Sequence, residues 1–111
     1  MSRVGDMLGQ YELLEQRGSG GMGVVWEAAD GAGRHVALKQ MHAHLCDDVE
    51  LVKRFRREYE VGIALNHPNL VRMLAYDGDA VPPYLVMELA TGKSLRRLLE
   101  RGGSFYEWEV A

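Results

Sequence analysis

The chain has 111 residues, 47% hydrophobic and 26% charged, with 16 acidic against 13 basic side chains and a net charge of −3. These are the proportions of one small globular domain, and the acidic balance gives no reason to expect nucleic acid or an anionic membrane as the main partner. A single cysteine, Cys46, excludes an internal disulfide; it suits a reducing compartment, and a cytoplasmic location is expected because residues 1–10 lack the apolar core of a secretory signal and no stretch approaches the roughly 20 apolar residues that span a bilayer.

Residues 1–10 read as a loose lead-in, followed by a strand over 11–17. Next comes Gly18-Ser19-Gly20-Gly21-Met22-Gly23-Val24-Val25, which fits G-x-G-x-x-G-x-V. Glycine is needed in such a loop because backbone N–H groups must approach phosphate oxygens with no Cβ in the way. The same spacing marks dinucleotide-binding folds, but there the glycines follow a strand and open a helix. Here Val24, Val25 and Trp26 predict a strand over 24–29, ended by the turn cluster Asp30-Gly31-Ala32-Gly33, so the glycines join two antiparallel strands. No Lys-Ser or Lys-Thr closes the run, which excludes the P-loop pattern.

The next strand, 35–41, alternates. Val36 and Leu38 share one face, and Ala37, Lys39 and Met41 share the other. A helix is expected over 49–65, capped by Asp47 or Asp48 and stopped by Asn66-His67-Pro68. At 100° per residue Leu51, Phe55, Glu58, Gly62 and Leu65 form one stripe, which sets Glu58 in an apolar seam. A carboxylate buried there costs several kcal/mol unless a cation or hydrogen-bond donors meet it, and Lys39 is the candidate partner.

Together the glycine loop, Val36-Ala37-Leu38-Lys39 and Glu58 resemble the N-terminal lobe of a eukaryotic-type protein kinase. The Gly20-Gly21-Met22-Gly23 wording and the Arg56-Arg57-Glu58 approach look most like bacterial serine/threonine kinases. The resemblance implies an α+β fold: a five-stranded antiparallel sheet with one packed helix (helix C), then a hinge and the first helices of a large lobe. It implies ATP as cofactor together with Mg2+, and a protein hydroxyl as substrate once the large lobe is present. Gly18, Ser19, Gly20, Gly21, Met22 and Gly23 would cover the phosphates, Val25 and Ala37 would touch adenine, and Lys39, paired with Glu58, would hold the α and β phosphates.

Strands follow over 70–76 and 84–88, with Asp77-Gly78-Asp79 read as the turn between them rather than a displaced D-F-G. By resemblance Met87 is the gatekeeper, the Glu88 carbonyl and Ala90 amide read the adenine edge, and Ser94 caps a helix over 95–100 near the ribose. Domain bounds are expected at 1–10 (lead-in), 11–88 (N-lobe) and 89–111 (hinge and start of the large lobe). The 111 residues contain no H-R-D-x-x-x-x-N and no D-F-G, so the magnesium ligands and catalytic aspartate are missing and this stretch alone is expected to be inactive.

Plain alternatives stand beside these readings: an ordinary glycine-rich hairpin, a solvated strand lysine, a surface glutamate. His42-x-His44-x-Cys46 could gather a soft metal, but a loop before a helix explains it, and no metal is assigned. Lys53, Arg54, Arg56 and Arg57 read as a solvated helix face offset by Glu50, Glu58 and Glu60. Two positions depart from the family: Arg17 stands where Leu or Ile usually lids the adenine, and Gly62 where a bulky apolar residue is common. A non-catalytic regulatory module remains the alternative function, motivated by Leu95, Leu98, Phe105 and Trp108, which would be exposed without a large lobe.

Overall fold

The computed structural model describes residues 2–64 and 72–89. The expected alternation is resolved into strands β1 (Met7–Leu8), β2 (Tyr11–Ser19), β3 (Gly23–Ala29), β4 (His35–Met41), β5 (Met73–Asp77) and β6 (Tyr84–Glu88), with helix α1 (Val49–Ala64) between β4 and β5. They form one antiparallel sheet in the order β1-β2-β3-β4-β6-β5. This is the α+β arrangement expected, with one strand more than the five expected.

The extra strand is β1. Two residues are too few to leave a periodic hydrophobic signal, and what holds them is backbone: Met7 pairs with Glu12 and Leu8 with Tyr11. Gly9, at φ +60°, makes the tight return. Further back, the Gly5 N–H donates to the Leu13 carbonyl at 2.8 Å and the Leu13 N–H to the Asp6 carbonyl at 2.9 Å. Gln40 Nε2 reaches Ser2 Oγ at 2.9 Å, so the segment is also tied to β4.

Period-two alternation divides the side chains between two cores. One face of the sheet carries Tyr11, Leu13, Trp26, Ala28, Val36, Leu38, Tyr84 and Val86, with Leu8 of β1 packed against them. The opposite face carries Val25, Ala37, Met41, Met73, Leu85 and Met87, joined there by Phe55 of α1. Lys39 shares that second face and is buried on a central strand.

Local chemistry ends each element where the sequence asks. Asp48 caps α1, its Oδ1 accepting from the N–H groups of Glu50 (3.0 Å) and Leu51 (3.2 Å). Asp30 Oδ1 accepts from the N–H groups of Ala32 and Arg34, both at 2.9 Å, and Gly33 takes φ +82°, closing the β3–β4 turn. Asp77 does the same before β6, accepting from Asp79 and Ala80 at 3.0 and 3.1 Å. The expected helix stop at Asn66-His67-Pro68 lies outside the described residues.

Burial makes Leu13, 0% exposed, the test of the outer core. Leu13→Ala should lower the urea-unfolding free energy by about 2–5 kcal/mol. Val81→Ala, at a residue 90% exposed, should change it by no more than about 0.5 kcal/mol.

Candidate functional site

Strands β2 and β3 stay paired out to Ser19 and Val24, so the glycines form the tip of a hairpin. The Gly20 N–H donates to the Gly23 carbonyl at 2.9 Å across that tip. The glycines are not equivalent. A Cβ on Gly23 would lie 2.1 Å from the Gln40 carbonyl oxygen and 2.9 Å from its carbon, so β4 itself requires glycine there. A Cβ on Gly21 would meet nothing within 4 Å, leaving open space above the backbone. Met22, half-buried, packs against the inner core and fixes the loop from below.

The register sets the floor of the site. Val25 lies opposite Lys39, Ala37 opposite Met87, and Lys39 also opposite Leu85. Val25, Ala37 and Met87 are therefore buried apolar neighbours on the face that bears Lys39. Lys39 Nζ donates to Glu58 Oε1 at 3.3 Å and Oε2 at 3.2 Å, with side chains only 3% and 8% exposed. Nζ also sits 5.9 Å from the centre of the Phe55 ring, a geometry that favours a cation. Burial pulls the Lys39 pKa below the ordinary lysine value; the charge of Glu58 and its hydrogen bonds oppose that shift.

Glu58 reaches Lys39 because α1 is held by aromatic contacts on either side of it. Tyr59 stacks on Tyr76 of β5 at 5.2 Å, and Phe55 tilts against the same ring at 6.3 Å. Phe55 and Glu58 are the buried residues of the helix. Lys53, Arg54, Arg56 and Arg57 lie on its exposed side, with long contacts Lys53–Glu50 at 4.0 Å and Arg56–Glu60 at 3.8 Å.

One charged cluster leaves no periodic signal in the sequence. Glu27 stands two residues after Val25 and opposite Ala37, on the site's face of the sheet. The Arg17 guanidinium donates to Glu27 Oε1, from Nε at 3.0 Å and also from Nη2, and approaches Glu15 at 3.4 Å. His35 Nδ1 lies 2.6 Å from Glu27 Oε2. The Arg17 hydrogen bonds, then that of His35, hold the Glu27 carboxyl below its ordinary pKa. Arg17 escapes pattern reading because the β2–β3 register shifts between Gln16 and Gly18, breaking the alternation there. The available signal was a Glu and a His placed diagonally across β3 and β4.

Of the remaining expected positions, Glu88 ends β6, its N–H donating to the Arg72 carbonyl and its Oε1 accepting from the Arg72 N–H, both at 2.9 Å. Ala90 and Ser94 lie outside the described residues, as do the helix over 95–100 and Leu95, Leu98, Phe105 and Trp108. His42 and His44 stack at 5.3 Å while Cys46 Sγ turns to the His42 carbonyl at 3.5 Å.

The chain that builds this glycine hairpin and buried lysine–glutamate pair is similar to known proteins. Residues 11–111 match the family model described as protein kinase domain, and the chain belongs to that family. It is 41% identical over 108 residues to the serine/threonine-protein kinase PknA of Mycobacterium tuberculosis, covering 91% of this chain and 25% of that protein. A probable serine/threonine-protein kinase of Streptomyces coelicolor is 41% identical over 99 residues, covering 85% of this chain and 15% of the relative. Among solved structures, the kinase domain of Mycobacterium tuberculosis PknI superposes with a TM-score of 0.68 at 23% identity, over 91% of this chain and 42% of that one. PpkA-294 in its apo form gives 0.72 at 19% identity, over 91% and 43%. These two likenesses concern the fold. The chain thus spans about a quarter or less of these curated relatives, and it corresponds to the N-terminal part of a kinase domain.

The unequal glycines give a direct test. Gly23→Ala should destabilise the chain by about 1–3 kcal/mol, since the backbone of β4 must move. Gly21→Ala should leave stability unchanged or raise it by up to about 1 kcal/mol. Urea unfolding of the two variants reads the difference.

Proposed function

We propose that this chain is the ATP-binding part of a serine/threonine protein kinase, which in a complete domain transfers a phosphoryl group from ATP to protein hydroxyls. The observation that carries the reading is the buried Lys39–Glu58 pair at 3.2–3.3 Å, beside an apolar surface and below a glycine hairpin. A cation is kept on a central strand there at a desolvation cost, which an anionic ligand would help to repay.

ATP fits the residues present. The open space above Gly21 leaves room for a phosphate to meet backbone N–H groups, and Lys39 supplies a fixed positive charge. Val25 and Ala37, buried on the Lys39 face, would supply apolar contacts to a flat base, with Met87 behind them as gatekeeper. The backbone of Glu88 and Ala90 would read the base edge, and Ser94 would lie near the ribose. Bound there, ATP supplies the phosphoryl group to be transferred. Glu58 keeps the Lys39 ammonium in place and charged, so that α1 position and phosphate binding are linked. Members of the family use Mg2+ with ATP; the catalytic-loop Asn and D-F-G Asp that hold it are absent from these 111 residues. Domain bounds of 1–10, 11–88 and 89–111 accord with this reading, as does a cytoplasmic location. No helix among the described residues is long and apolar enough to cross a membrane.

In a chain continued through a catalytic loop and a D-F-G segment, Lys39→Met should lower phosphoryl transfer at least about a hundredfold. Incorporation of labelled phosphate into a protein acceptor measures it. Undiminished transfer in that variant would overturn the assignment.

A further inference from the structure

His42 lies just beyond β4, outside the cluster of residues assigned to the nucleotide, yet it makes two contacts with the glycine hairpin. Its ring Nε2 is 2.7 Å from the Gly20 carbonyl oxygen. Its backbone N–H donates to the Met22 carbonyl at 3.0 Å. We propose that His42 is a positioning residue, a clamp that fixes the direction of the glycine-loop amides and so prepares the loop for a phosphate chain. The proposal rests on the reading of this hairpin as a phosphate-binding loop.

The geometry has a definite consequence for the donors. A carbonyl within 2.7 Å of a ring nitrogen can only accept, so Nε2 carries the proton and donates. In a trans peptide the N–H points opposite to its own carbonyl. Holding the Gly20 carbonyl on His42 therefore turns the Gly21 N–H away from His42, and holding the Met22 carbonyl does the same for the Gly23 N–H. Glycine peptides left alone sample many orientations, and fixing them in advance lowers the ordering cost of binding.

The clamp is itself braced. The His42 ring stacks on His44 at 5.3 Å with an interplanar angle of 22°. The His42 carbonyl accepts from the Leu45 N–H at 3.0 Å and from Cys46 Sγ at 3.5 Å, which anchors its backbone in the 3-10 turn Ala43–Leu45. The His42-x-His44-x-Cys46 spacing, which the sequence offers as a loop or a metal site, thus acquires a function that needs no metal. Because His42 comes three residues after Lys39 on the same run of chain, the loop donors and the lysine are referenced to one strand.

Three forms of the 111-residue chain test this: the natural sequence, His42→Phe, which keeps a flat ring but no donor, and His42→Gln, which keeps a donor. Amide hydrogen exchange is followed by NMR without nucleotide, and affinities for Mg-ATP and for adenosine are measured by calorimetry. In His42→Phe the Gly20 amide, which donates to the Gly23 carbonyl across the tip, should exchange about five- to tenfold faster, the worth of one neutral hydrogen bond, with the amides of β4 and of β3 from Val24 onward unchanged. ATP affinity should fall by a similar factor while adenosine affinity stays the same, and His42→Gln should recover part of both losses. Unchanged loop exchange in His42→Phe, or an equal loss of ATP and adenosine affinity, overturns the proposal. A natural chain that binds neither ligand contradicts the nucleotide reading instead, and with it the phosphate role of the clamp; the exchange rates still decide whether His42 holds the loop.

Discussion

A lysine ammonium buried on the central strand of a sheet is the constraint around which this molecule is arranged. Lys39 is 2% exposed, and such a charge is tolerated only when another charge or several dipoles meet it. Glu58 does so from a different element, nineteen residues later in the chain. The helix that brings it is attached to the sheet through Phe55 and Tyr59 against Tyr76. Loosening that aromatic contact would withdraw the carboxylate. Removing one partner of a buried pair typically costs about 3–5 kcal/mol, so the helix position and the state of the lysine are linked energetically.

The sheet can bear this arrangement because its two faces have separate tasks. Among the described residues the outer core, from Tyr11 and Leu13 to Val86, holds no ionisable group other than tyrosine, and the segment before β2 folds back on it. The inner face is divided between the helix and the surface formed by Val25, Ala37 and Met87. Both faces are packed, and the inner one also holds the buried charges Lys39 and Glu58. Arg17, Glu27 and His35 add a charged border to that inner face, where the family usually has an apolar residue at the Arg17 position.

Legibility in the sequence followed the strength of each periodic signal. The alternation of Val36, Ala37, Leu38 and Lys39 appears in the structure as two opposed cores. The 3.6-residue stripe that places Glu58 beside Phe55 is read from spacing alone, because a long amphipathic helix repeats its signal. Strand β1 leaves no such signal, since two residues repeat nothing and its bonds are backbone bonds that any side chain permits. Arg17 was seen as a departure but its partner was not, because a register shift moves it off the alternation and Glu27 belongs to another strand. His42 reads from the sequence as part of a loop before a helix, whereas its contacts are with loop carbonyls that carry no sequence identity. Hydrogen bonds to backbone are the least visible feature of a sequence and here they shape the loop.

The most direct test of the account is an NMR titration of the chain with Mg-ATP, following every backbone amide. The largest shifts should fall on residues 18–23, on Val25 and Ala37, and on Lys39, with Leu13, Trp26 and Val86 of the outer core unmoved. Shifts confined to the exposed basic side of α1, at Lys53 to Arg57, would contradict it, as would a spectrum that does not change.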